Sequence, residues 1–517
     1  MHTPAIATGI SLAVALAMPA LGQNTSDDAI KQIDELRQQN AQLAAKIAKL
    51  EQVASQDGAW LTDERAAQIR SLVTDVLADS DTRASLQADG VTAGWNKGFF
   101  LASPDNSYRL NIKGQIQFRW AYNDRSIPAG PLATGSAGGP SQNWGFENRR
   151  TKITFSGHII DPSLTYEVKP VFNRQSITVS STLPAGSSVS LGNSDVNASI
   201  EDIWIQKAFD GGLAVRAGQF KAPFLREELV SSSAQLAVER SLVNDVFSTK
   251  FSQGVQLEWE QEMFRLQGFY GDGLRANRVN PVTNAGLAGN YGGAYNTDYV
   301  TNRTNYAFAG RAELKLAGNW RQFRDLTSYR GEDFGVMLGV GGMAQSLRPT
   351  PTTALAAKNM WGVTADITVD FGGANIFAYG VYRNVDLAGS PAVRGGGTDS
   401  TMNQWGAVVQ GGFFVLDSLE LYGRLELGDL DTDQYRTTAN SLQADLESNS
   451  IVTIGTNFYP FGSSNKDLKL TTDFGYAFDA IGDFASGGAD WASDATPANG
   501  ATEDGQFVIR SQIQLLF

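Results

Sequence analysis

Residues 108–122 read YRLNIKGQIQFRWAY, with Arg109, Lys113 and Arg119 on one alternation face beside Asn111, Gln115 and Gln117. In an extended strand, residues two apart share a face. Arg150, Lys152, Lys169 and Arg216 take the equivalent face of later segments, opposed there by Glu167. Fixed guanidinium and ammonium groups arrayed this way attract and guide anions; they do not move protons at neutral pH. Elsewhere the same faces are more balanced, with Arg265, Arg311, Lys315, Arg424, Lys469 and Arg510 against Glu258, Glu260, Glu313, Asp366, Asp370, Glu420, Glu426, Asp467 and Asp473. One sector of whatever these strands enclose is therefore basic, although the chain carries a net charge of −13. That acidic balance argues against a nucleic-acid partner.

Other chemistry has little raw material. The 517 residues include no Cys and two His, His2 and His158. This removes thiol nucleophiles, thiolate metal sites and disulfides, and leaves a serine triad almost nothing to build on. His158 ends a predicted strand with no motif around it, so a membrane-embedded hydrolase is a weak rival reading. No catalytic, metal-binding or cofactor-binding residue is assigned.

The elements that must position the cations are strands. The other face of residues 108–122 carries Tyr108, Leu110, Ile112, Gly114, Ile116, Phe118, Trp120 and Tyr122. A polar face backed by an apolar one with aromatics at its ends, over a length well beyond the usual ~5–6 residues, fits a tilted strand between lipid and water. Sixteen such segments follow one another from residue 108 to 517. Their connections alternate between short turns, such as 160–163 and 210–212, and long loops, such as 123–146 and 272–304; only 318–332 is intermediate. This predicts an all-β fold, a transmembrane antiparallel barrel of about 16 strands over residues 95–517, with both chain ends on the short-turn side. The last segment, ending RSQIQLLF, then pairs with the first, and no strand edge faces lipid.

Ahead of the barrel, residues 1–22 read as a secretory signal peptide, with an apolar core at 5–18 and small residues at Ala20 and Gly22. Residues 23–56 read as a short periplasmic α-helical coiled coil, with Ile33, Asn40 and Ile47 at one core position of the heptad and Leu36, Leu43 and Leu50 at the other. Residues 57–94 read as a periplasmic helical linker, with Ile69, Leu72, Val73, Val76 and Leu77 on one face. A 30-residue connection at 221–250 is too long for an idle loop. Folded inward, its Lys221, Arg226, Arg240 and hydroxyl-rich VSSSAQ would narrow the pore.

GQFKAPF followed by ERSLV, the earlier NRRTKITFSG and the opening YRLNIKGQIQFRW resemble the phosphate-selective porin O and P family. The terminal Phe517 is similar to the C-terminal signature of bacterial outer-membrane barrels. The family resemblance implies a trimeric barrel whose pore is narrowed by infolded loops, with lumenal arginines guiding an anion to lysines at the constriction. It adds Arg149 to Arg150 and Lys152, and places Lys221 and Arg240 near the constriction. Glu227, Glu228 and Glu239 in the same region argue against strict phosphate specificity. The expectation is an outer-membrane porin that passes small anions, surrounded by outer-membrane lipid and assembled as a homotrimer. Two alternatives stand beside it: a general porin, and an envelope tether that reaches the cell wall through residues 27–54.

Overall fold

The computed structural model describes residues 41–42, 44–46, 91–96, 98–124, 142–174, 196–274, 304–348, 357–390, 398–431, 434, 448–479, 481, 491 and 505–517. It divides into two compact units, Met1–Ala88 and Asp89–Phe517. In the first, Ala41, Gln42, Ala44, Ala45 and Lys46 are helical and exposed; the signal peptide, the rest of the heptad segment and the linker up to residue 90 lie outside the described residues.

The second unit is one antiparallel sheet. Its strands are β1 Thr92–Trp95, β2 Phe99–Ala102, β3 Arg109–Asp124, β4 Gln142–Ile159, β5 Asp161–Arg174, β6 Val196–Ala208, β7 Leu213–Lys221, β8 Phe251–Glu260 and β9 Phe264–Gly271. They continue with β10 Thr304–Ala317, β11 Gly335–Leu347, β12 Ala357–Asp370, β13 Ala374–Leu387, β14 Thr401–Leu416, β15 Leu419–Asp429, β16 Ser448–Phe458, β17 Leu468–Ala477 and β18 Gln506–Leu516. Strands β3 to β18 pair in sequence, and β18 closes on β3 from Phe507–Asp124 to Leu516–Gln115. The result is a closed barrel of sixteen strands, matching the sixteen alternating segments. Strands β1 and β2 extend the seam: β2 pairs with β3 from Phe99–Ile112 to Ala102–Arg109, just below β18. Strand β1 falls within the stretch read as helical linker.

The outer surface is apolar. Ile116, Phe118, Ile205, Leu257, Val340, Val363, Val409 and Ile454 are exposed along it. Aromatic pairs mark the long-loop rim, including Phe118–Phe146 and Trp361–Tyr382, and the short-turn rim, including Trp259–Phe264 and Phe334–Phe371. Such girdles sit at the two lipid–water interfaces.

The interior is not uniformly polar. On β13 the inward face carries Phe377, Tyr379, Val381, Val385 and Leu387, all buried. These residues meet the connection between β7 and β8, which folds into the lumen and buries Phe224, Leu225, Leu236, Leu242, Val243, Val246 and Phe247 in one apolar cluster. Gly406 on β14 makes room for it: a Cβ there would lie 2.5 Å from Val243 Cγ1. A second segment, between β10 and β11, rises from the short-turn end. Its Leu326 N–H donates to the Ala234 carbonyl of the infolded loop at 3.0 Å. Loop from one end and strap from the other thus meet inside the barrel.

The seam depends on one close approach. The Gly114 N–H donates to the Phe517 carbonyl at 2.6 Å, and the Phe517 ring occupies the space a Cβ on Gly114 would take. A Gly114→Val substitution should expel that ring and cost about 1–3 kcal/mol of overpacking. The expected outcome is a lower temperature for loss of the folded, faster-migrating band in semi-native electrophoresis.

Candidate functional site

The loop and strap fill one side of the lumen and leave a cavity of about 930 Å³ on the other. The cavity runs along the inner face of β4 to β9, from Lys221 and Phe251 at the long-loop end to Gly212, Leu213 and Glu260 at the short-turn end. Its lining holds eleven Lys or Arg side chains and seven Asp or Glu side chains. The basic sector expected from alternation is therefore the side left open.

Two β-bulges build the charged wall. The β3–β4 register steps from Gln117–Arg150 to Phe118–Asn148, leaving Arg149 as the extra residue. A bulge turns two consecutive residues toward one side. Arg149 and Arg150 consequently both reach Glu239 of the infolded loop, at 2.5 Å from Nε and 2.7 Å from Nη2. The β5–β6 register likewise steps from Lys169–Asp202 to Pro170–Ile200, leaving Glu201 as the extra residue. Pro170 sits where a ladder N–H is dispensable. Glu201 then binds Lys152 Nζ at 2.6 Å, and Asp202 binds Lys169 Nζ at 2.6 Å.

The ten cations named from the sequence separate into groups. Arg149, Arg150, Lys152, Lys169, Arg216, Lys221 and Arg240 line the cavity. Arg119 does not; it is buried behind the loop, bonded to Glu147 and to Glu239 at 2.7 Å. Arg109 and Lys113 stay near the short-turn rim, outside the cavity. Arg109 lies 4.2 Å over the Phe100 ring and donates to Asn111, and Lys113 is exposed. Glu201 and Asp202 are the lining residues that alternation alone misses, because the bulge breaks the period of residues 197–209. The clue to Asp202 is its place opposite Lys169 once register is known. Arg226, Lys250 and Arg265 complete the basic lining together with Arg324 of the strap.

Most of these cations are already paired. Lys221 Nζ donates to the Glu228 carbonyl at 2.5 Å, with the Glu228 carboxylate at 3.5 Å, and Arg240 lies 3.7 Å from the other Glu228 oxygen. Arg216 differs. It donates to Gln206 Oε1 at 2.8 Å and stacks 4.6 Å from the Trp204 ring, and among the described residues no carboxylate forms an ion pair with it. No group of three His, Asp or Glu side chains is placed to hold a metal ion among the described residues.

Glu239 fastens the loop to the wall. Burial opposes its ionisation, but the guanidinium groups of Arg149, Arg150 and Arg119 outweigh that and hold its carboxyl well below the usual carboxylate range. A depressed folded value means this contribution to stability is fully present above the unfolded value of about 4.3 and is lost as pH falls through the folded value. Single-channel conductance should therefore hold steady from about pH 7 to about pH 5 as far as this cluster is concerned. Glu239→Gln removes one negative charge beside three guanidinium groups. The expected outcome is a reversal potential shifted toward anions in a salt gradient.

The family model for phosphate-selective porin O and P matches residues 133–477. No curated protein matches the chain. Similar solved structures include the outer-membrane channel DcaP of Acinetobacter baumannii, at 13% identity and a TM-score of 0.46 over 81% of this chain and 99% of that one. An anion-selective porin from Comamonas acidovorans shows 9% identity and a TM-score of 0.44 over 79% and 99%. A trimer form of OmpT from Vibrio cholerae shows 11% identity and a TM-score of 0.43 over 79% and 99%. The family match covers well over half of the chain, so this protein belongs to the phosphate-selective porin O and P family of outer-membrane barrels.

Proposed function

We propose that the cavity is the permeation path and that it passes small anions in preference to cations. The observation that carries this reading is the excess of basic over acidic side chains along the only side of the lumen that loop and strap leave open among the described residues. A narrow, water-filled passage with fixed positive charge lowers the barrier for anions, as charged rings do in anion and phosphate pores. Paired cations still hold an anion weakly, because a carboxylate beside each one competes with it. Weak, multi-site contact suits passage better than retention.

No enzymatic step is assigned, since a barrel of this family acts as a channel. The family likeness supports a homotrimer, and the heptad residues Ile33, Leu36, Leu43, Ile47 and Leu50 would favour self-association on the periplasmic side. A cell-wall contact through residues 27–54 is the alternative role for that segment; deleting 23–90 and measuring both conductance and envelope integrity separates the two.

The selectivity reading is tested in planar bilayers under a KCl gradient. Purified protein should give a reversal potential on the anion side. Arg216→Ala should lower the chloride-to-potassium permeability ratio by roughly five-fold, the equivalent of about 1 kcal/mol for one nearby charge in water. Lys152→Ala should lower it at least as much, because it removes a cation and also leaves the Glu201 carboxylate unpaired in the cavity. Equal permeability in the wild type would establish a general porin instead.

A further inference from the structure

The strap between β10 and β11 does more than occupy space. It is tied into place at several points: Asn375 Nδ2 donates to the Leu326 carbonyl, and Arg330 Nη2 donates to the Phe414 carbonyl at 2.7 Å. Lys466 Nζ donates to Asp325 at 2.6 Å. Two of its side chains address lumenal carboxylates. Gln322 Nε2 donates to Asp370 Oδ2 at 3.2 Å, and Thr327 Oγ1 reaches Glu420 Oε2 at 3.5 Å.

Those two carboxylates differ from the paired acids on the strands of the filled side. Asp366 is paired with Arg311, Glu426 with Arg424, and Asp473 with Arg510. Asp370 and Glu420 have no ion-pair partner among the described residues, yet they are 3% and 1% exposed. Glu420 is satisfied by neutral donors, Asn457 Nδ2 at 2.9 Å and the Tyr459 hydroxyl at 3.4 Å besides Thr327. Neither carboxylate lines the open cavity, whereas Phe323 and Arg324 of the strap do.

We propose that segment 319–333 is a charge mask, a specificity-determining element on the short-turn side of the pore. It seals Asp370 and Glu420, two buried carboxylates without an ion pair, out of the path and presents Arg324 to it, so that a permeating ion meets the basic wall without these acids. The ligand class is the permeating small ion itself, and the inference rests on the cavity being the path. A permeating ion cannot touch an acid sealed behind neutral, packed groups, and a carboxyl buried without a counter-charge favours its neutral form, so covering it lowers its weight in selectivity.

The chain has no cysteine, so single-cysteine variants report accessibility directly. Full-length Arg324→Cys channels should change conductance when a charged methanethiosulfonate is added. Full-length Glu420→Cys and Asp370→Cys channels should not react until denatured. In a second arm, residues 321–331 are replaced by a short Gly-Ser link. Conductance should rise roughly two-fold as the lumen widens, and the reversal potential should move toward cations relative to the wild type. Adding Asp370→Asn and Glu420→Gln to that variant should move it back; the same pair in the intact protein should leave it unchanged. Rapid labelling of Glu420→Cys in the intact channel, or a shortened strap with unaltered reversal potential, would overturn the mask. Each reading is a shift from the wild type, so the mask can fail in an anion-preferring channel and survive in one that proves unselective.

Discussion

Three guanidinium groups, on Arg119, Arg149 and Arg150, converge on the single carboxylate of Glu239. Much of the pore follows from that contact. It fixes the infolded loop against β3 and β4 while Arg424 and Arg383 hold the Glu239 and Val246 carbonyls from the opposite wall. A loop tied on both sides cannot swing, and its apolar residues then pack on the inner faces of β13 and β14. Each fully buried Leu, Val or Phe there is worth about 1.5–3 kcal/mol relative to exposure. The ion cluster sets position; the apolar cluster supplies the stability. A buried cluster of this kind costs much of its Coulombic gain in desolvation, so its clearest contribution is to geometry.

The wall opposite the loop is shaped by exceptions to strand regularity. A barrel in lipid must pair every backbone group, so strands cannot bend freely to aim side chains. Bulges at Arg149 and at Glu201 do this within the ladder, each turning a neighbouring pair of charges toward the lumen. The basic side of the pore is thus a property of register as much as of composition. The filled side is near balance and largely self-paired, which removes it from contact with the path.

The barrel was legible in the sequence because lipid imposes a strict period of two on residues such as Ile116, Phe118 and Trp120, and closure imposes an even strand count. All sixteen alternating segments are strands. The same logic put Lys152, Lys169 and Arg216 on the polar face, and all three line the cavity. It could not show that Arg119 lies behind the loop, because burial there depends on Glu239, more than a hundred positions away in the chain. Nor could it show the strap at 319–333, whose Phe323 and Leu326 look like ordinary turn residues until their inward packing is seen. Periodicity does not say whether an apolar face such as that of β13 meets lipid or a protein core. The bulge at Glu201 hid Asp202 in the same way, by breaking the period that the reading relies on.

On the proposed function, permeating anions follow the β4–β9 side of the lumen and not the side filled by loop and strap. Anomalous diffraction from crystals of the full-length protein equilibrated in bromide tests this directly. Bromide peaks are expected within the cavity, near Arg216 and toward Lys221, and none between the loop and strands β13 to β17. Peaks on that filled side, or a lumen whose bromide avoids the basic wall, would contradict it.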